Sequence, residues 1–201
     1  MMLPVLSKNP RVWLKIVVVG GLCGALCDQI HIQGGVLYYA QPVILQQAWW
    51  VALLFAGASC LIYATTSLWA QPAEQRVAAV VSAPEIARQV LWFVAMYALS
   101  AGMRDRSLAL VVLYAILMVR RMVRRRDVWP QLANATGLAV GGTAFEMALS
   151  STGAFTYTHP DFAGVPLWLP GLYMHGAPLA LALVRAIRQL ESPSAAVKAE
   201  H

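Results

Sequence analysis

Six apolar runs divide the 201 residues: Val12 to about Ile30, Ala48 to Trp69, Ile86 to Met103, Leu108 to Val123, Leu132 to Ser151 and Leu167 to Ile187. A helix crosses a hydrocarbon core of roughly 30 Å with about 20 mostly apolar residues, so each run is of membrane-crossing length or close to it. Short connections leave no room for a separate soluble domain. Composition agrees. Hydrophobic residues make up 59 % and charged residues 12 %, with a mean hydropathy of +0.61, against roughly 45–50 % and about 25 % in soluble domains. The expected fold is a single all-α integral membrane bundle of six transmembrane helices. The first run has small residues at Cys23-Gly24-Ala25 where a signal peptide would be cut, but it continues to Ile30 and five more runs follow, so it reads as a retained span.

Proline marks the breaks, at Pro42 before the second run, Pro72 after it, Pro84 before the third and Pro130 before the fifth. Tryptophan and tyrosine gather at run ends, as membrane interfaces favour. Pro170 and Pro178 fall inside the sixth run and are expected to bend it. With the N-terminus inside, the inner segments hold thirteen Lys and Arg and the outer ones only Arg104 and Arg106. The positive-inside rule therefore puts both termini in the cytoplasm. The basic cluster Arg120, Arg121, Arg124, Arg125 and Arg126 reads as a membrane-surface anchor on anionic headgroups. No internal repeat is legible, and residues 192–201 read as a disordered tail. Cys23, Cys27 and Cys60 sit within apolar runs and read as small buried hydrophobes, with no metal site implied.

Three stretches carry a family resemblance. Tyr157-Thr158-His159-Pro160-Asp161-Phe162, followed by Trp168-Leu169-Pro170, resembles the YTxPDF and WLP block of the Insig family. Ala48-Trp49-Trp50-Val51, with Gly57-Ala58-Ser59 beyond it, is similar to the opening of that family's second helix. Ile187-Arg188-Gln189-Leu190 is similar to its GRQL ending. Animal members bind oxysterols and hold Scap and HMG-CoA reductase, so the resemblance implies a six-span regulatory lipid binder. The compactness of the chain suggests a bacterial member. The second helix lacks the family's PPCC, and ungapped counting puts Arg126 where animal members carry an aspartate needed for Scap. Both departures weigh against a Scap-type partner.

Ionisable groups within a membrane each need a partner or water. Asp28, Glu146 and His175 qualify. With α-helical rise, Glu146 and His175 fall roughly 10 and 13 Å below the outer surface on neighbouring antiparallel runs, and Asp28 lies in the same half with Gln29, Gln33, Gln46 and Gln47. Two readings stand open: a polar cluster that receives a lipid headgroup, or a Glu146–His175 pair that joins two helices. Asp161 is expected to cap or turn the loop before the last helix, and His159 to be solvated.

The first functional expectation is therefore a non-enzymatic Insig-type protein that binds a sterol-like or diacyl neutral lipid, diacylglycerol for example, without a cofactor. It is expected to be a homo-oligomer, a trimer among the options, and to touch no nucleic acid. A membrane enzyme would need a DxxxD, HxxxH or GxSxG pattern, and none is present. Only Glu146 with His175 offers an acid–base pair. A transporter would show broken helices in both halves.

Overall fold

The computed structural model describes residues 6–76, 80–123 and 127–191. Six helices are present among them: α1 (Pro10–Gln33), α2 (Val51–Arg76), α3 (Ala83–Gly102), α4 (Ser107–Met122), α5 (Val128–Ser151) and α6 (Leu169–Glu191). Two short strands, β1 (Leu37–Tyr39) and β2 (Phe155–Tyr157), follow α1 and α5. Local chemistry sets the starts. Asn9 accepts from the Arg11 N–H with Pro10 opening α1, and Ser82 accepts from the Glu85 N–H at the head of α3. Four helices begin ahead of their apolar runs; in α1 and α3 these capping turns lie outside the hydrophobic stretch, whereas α4 and α5 start early without a side-chain cap. Pro170 sits in the first turn of α6, where its missing N–H is harmless. Only Pro178 is interior, and the Asn134 amide and the Arg121 guanidinium donate to the Ala177 and His175 carbonyls beside it.

The strands pair antiparallel, Leu37 with Tyr157, Tyr38 with Thr156 and Tyr39 with Phe155. They form a clasp at the end of the bundle where α1 and α5 stop and α2 and α6 begin. Contrary to the sequence reading, the chain contains a repeat. The segment 33–51 and the segment 151–169 follow the same backbone course. Gly35 and Gly153 both take positive φ, as do the pairs Leu45-Gln46 and Ala163-Gly164. The bridge Ile44–Gln47 matches Phe162–Val165, and Val43 N–H to Gln47 matches Asp161 N–H to Val165. The units α1–β1–α2 and α5–β2–α6 thus stand about a local two-fold axis that passes between Tyr38 and Thr156. The sequence hid this because few of the equivalent positions keep the same residue.

Close contacts follow the same symmetry. A Cβ on Gly24 would lie 2.4 Å from the Phe55 ring, and one on Gly142 would lie 2.5 Å from the Tyr173 ring. Helix α3 packs between α1 and α6, and α4 packs on α6. At the end opposite the clasp, Arg185 meets Asp127 at 2.9 Å in a buried ion pair, the Thr66 hydroxyl donates to Asn134, and Arg188 donates to the Ser67 carbonyl. Ser7 ties the entering chain to Glu191 and, through its N–H, to the Tyr63 hydroxyl.

The outside is apolar. On α4, Leu108, Val112, Ile116 and Val119 fall on one face, each at least 58 % exposed, which water would not tolerate as a continuous stripe. Among the described residues two helices, α1 and the Val51–Ala70 part of α2, have both the length and the apolarity of a membrane span. Helix α4 has 16 residues, about 24 Å at helical rise. Cys23 faces outward, whereas Cys27 is buried.

Candidate ligand site

The two-fold brings one carboxylic acid from each unit into the clasp end of the bundle. Asp28, on the last turns of α1, is 5 % exposed. Its Oδ2 accepts from the Tyr39 hydroxyl at 2.8 Å and the Gln47 amide at 2.7 Å. Glu146 occupies the equivalent place on α5, and its two oxygens accept from the hydroxyls of Tyr157 and Tyr173. Trp50 meets Tyr39 edge to face at 5.5 Å, and Trp168 meets Tyr157 in the same way at 6.2 Å. Acid, tyrosine and tryptophan are therefore arranged twice. Spacing explains it: the acid near a helix end, a strand residue 11 positions on and a loop residue 11 beyond that meet because the strand doubles back along the helix.

Between the units, Tyr97 of α3 stacks on His31 at 4.5 Å and meets Phe93 edge to face. His31 is held by the Ser100 hydroxyl at 2.8 Å and lies against Trp168. Among the described residues no cationic side chain bonds either carboxyl; the two ion pairs are Arg88–Glu85 and Arg185–Asp127. The site is thus acidic and aromatic and rich in hydroxyl groups, with His31 as its neighbouring imidazole.

The expected pairing of Glu146 with His175 is absent. His175 is fully buried, but its Nδ1 faces the Arg121 guanidinium at 2.9 Å and its Nε2 the Tyr114 carbonyl at 3.1 Å. Equal depth did not mean equal direction: Glu146 turns toward Tyr157 and Tyr173, whereas His175 turns toward α4. Arg121 is correspondingly no surface anchor. It points into the bundle, also donating to Gln89 and lying over the Trp92 ring at 5.3 Å. Arg120 is exposed, and Arg124, Arg125 and Arg126 lie outside the described residues, as does the expected tail.

Of the glutamines, Gln29 fixes the loop by donating to the Leu45 carbonyl at 3.0 Å, and Gln33 is exposed. Asp161 accepts from the Leu167 N–H at 2.9 Å, which is the turn role expected of it. Pro160, Phe162 and Trp49 are exposed around the clasp, while Tyr157 and Trp168 are buried in the site. His159 is exposed, on an open groove of about 610 Å³ that Asp105–Ala109 share with Thr158–Asp161. Tyr39, Tyr97 and Tyr173 were not singled out from the sequence. A signal for the first existed: glycine, acid, tyrosine, proline and tryptophan recur at identical spacing in Gly24, Asp28, Tyr39, Pro42, Trp50 and in Gly142, Glu146, Tyr157, Pro160, Trp168.

An apolar-coated helical bundle, with a clasp joining two α–β–α units over a buried acid–tyrosine site, defines a helical membrane protein of Insig-like fold. Among solved structures the chain is similar to MvINS, a mycobacterial Insig homologue from Mycobacterium vanbaalenii, with TM-score 0.64 and 22 % identity over 90 % of this chain and 97 % of that one. It is equally similar to the cross-linked trimer of MvINS, at TM-score 0.64 and 21 % identity over 94 % and 99 % of the two chains. No protein-family model and no curated protein matches the sequence.

Proposed function

We propose that this chain is a six-span membrane protein with both termini in the cytoplasm, which binds a sterol-like or diacyl neutral lipid and reports its presence without transforming it. The observation that carries the reading is the pair of carboxyls, Asp28 buried and Glu146 half-buried, wrapped in tyrosines inside a bundle whose outer faces are apolar. Polar groups of this kind are costly in a membrane interior unless they serve a partner. A lipid lying among the helices with its polar end at the clasp would supply one. His175 does not join this site, so the headgroup contacts fall to Asp28, Glu146 and their tyrosines. Separating Glu146 from His175 also removes the acid–base pair that a lipid-transforming enzyme would use.

Homo-oligomerisation belongs to the same reading, a trimer being the form in which MvINS was cross-linked. Gly137 and Gly141 of α5 have open space where a Cβ would stand, leaving room for close helix approach. The test is extraction in mild detergent, mass spectrometry of the copurified lipid, and light scattering corrected for the micelle. A neutral lipid recovered intact at about one per protomer supports the function, and its absence from folded protein overturns it. A monodisperse monomer removes the oligomer.

One observation favours a second reading. Two units related by an axis running along the bundle are a feature of transporters with parallel repeats. Substrate-dependent flux through the protein in sealed vesicles would be its signature.

A further inference from the structure

Among the described residues, three polar atoms of the acid site have no hydrogen-bond partner. Both contacts to Asp28 go to Oδ2, which leaves Oδ1 without one. The Tyr97 hydroxyl, on a residue 9 % exposed, bonds to none of the described residues, and its ring lies on His31, which in turn lies against Trp168. The Trp168 indole N–H is buried and unpaired. One of these atoms accepts, one donates, and the phenol does either.

This inventory discriminates among headgroups. An ionised phosphate offers acceptors but no donor, and it would stand against two carboxyls with no cation to offset them. An ammonium group offers donors but nothing for the indole N–H. A hydroxyl both donates and accepts, so it answers the unpaired atoms together. The two-fold supplies the number, because each unit presents its own carboxyl. Each carboxyl also carries its own aromatic wall, Trp50 with Tyr39 in one unit and Trp168 with Tyr157 in the other.

Resting on the lipid-binding reading above, we propose that the Asp28–Glu146 site takes a phosphate-free headgroup bearing at least two free hydroxyls, of the monoacylglycerol or glycosyl-lipid kind, with one hydroxyl toward each carboxyl. Asp28 of the first unit and Glu146 of the second accept from the ligand, while Tyr97 and Trp168 donate to it. A diol uses both halves of the repeat, whereas a lipid with a single hydroxyl uses one.

The experiment is the thermal shift of delipidated full-length protein in nanodiscs, titrated with 1-oleoylglycerol, an oleyl glucoside, 1,2-dioleoylglycerol, oleylamine and dioleoyl phosphatidic acid. The diol lipids should bind about tenfold more tightly than dioleoylglycerol, the worth of one further hydrogen bond to a charged or buried group. The oleoylglycerol, with two free hydroxyls, and the glucoside, with four, both offer the diol contact and separate the glycerol source from the sugar source. Asp28→Asn and Glu146→Gln should each reduce the diol preference to the single-hydroxyl level. Tyr97→Phe, which keeps the packed ring and removes an unbonded hydroxyl, should weaken diol binding without lowering the melting temperature. A shift from dioleoylglycerol equal to that of the diols overturns the inference and leaves the lipid-binding function standing. Preference for phosphatidic acid or oleylamine overturns it as well, and no shift from any neutral lipid overturns both.

Discussion

Glu146 and His175 lie on adjacent antiparallel helices and share no partner. The first is bonded by the hydroxyls of Tyr157 and Tyr173, the second by the Arg121 guanidinium and the Tyr114 carbonyl. Energetic independence follows, since sites without a common partner add. In a cycle of Glu146→Gln with His175→Gln, unfolding free energies should sum within about 0.5 kcal/mol. Glu146→Gln with Tyr157→Phe should instead show a coupling of roughly 0.5–3 kcal/mol. A large Glu146–His175 coupling would mean that the two groups are one network.

Glycine replacements should split by sign. Gly24→Ala and Gly142→Ala drive a methyl into the Phe55 and Tyr173 rings, and overpacking of this kind costs about 1–3 kcal/mol. Gly137→Ala meets open space within α5. It should therefore stabilise the monomer by roughly 0.5–1 kcal/mol through helix propensity. Equal melting temperatures for all three would contradict the packing.

The ion pair at the far end of the bundle should behave as a unit. Arg185 and Asp127 are both buried and 2.9 Å apart, so Arg185→Met, which removes the cation and leaves the carboxylate charge uncompensated beside the Gln131 amide, should cost about 3–5 kcal/mol. Removing the acid as well, in Arg185→Met with Asp127→Leu, should recover much of the loss. A double variant no more stable than the single one would show that Asp127 has another, stronger tie.

Topology is checked by reporters. With thirteen basic residues on one side and two on the other, a fusion after His201 should be active as a cytoplasmic reporter and silent as an external one. The same external reporter placed at the exposed Phe162 should be active. The reverse pattern would turn the molecule over and put the clasp inside.

Helices were legible because oil is legible: a 20-residue apolar run declares itself whatever its neighbours are. Which way a side chain points around the helix was not. Depth along α5 and α6 placed Glu146 level with His175, yet α4, inserted against α6, drew the histidine away through Arg121. That arginine was hidden in a basic cluster that charge counting treats as a surface. The acid–tyrosine pairs were missed for another reason. The repeat conserves spacing and backbone shape rather than residue identity, with Asp28 answered by Glu146 and Phe55 by Tyr173. A search for the interval from acid to tyrosine to tryptophan finds it, whereas hydropathy does not.

The clasp has a consequence for synthesis. Strand β1 is made more than a hundred residues before β2, its hydrogen-bonding mate, so the first α–β–α unit is completed with an unpaired edge. The Tyr38 stretch must wait until the fifth helix has been made and Phe155–Tyr157 follow it. Assembly of the mature bundle is thus gated late, by a non-local closure whose cost falls before its contacts repay it. A chain arrested before residue 155 would hold a half-protein with the Asp28 side complete in sequence and open in space, the state in which quality control has most to recognise.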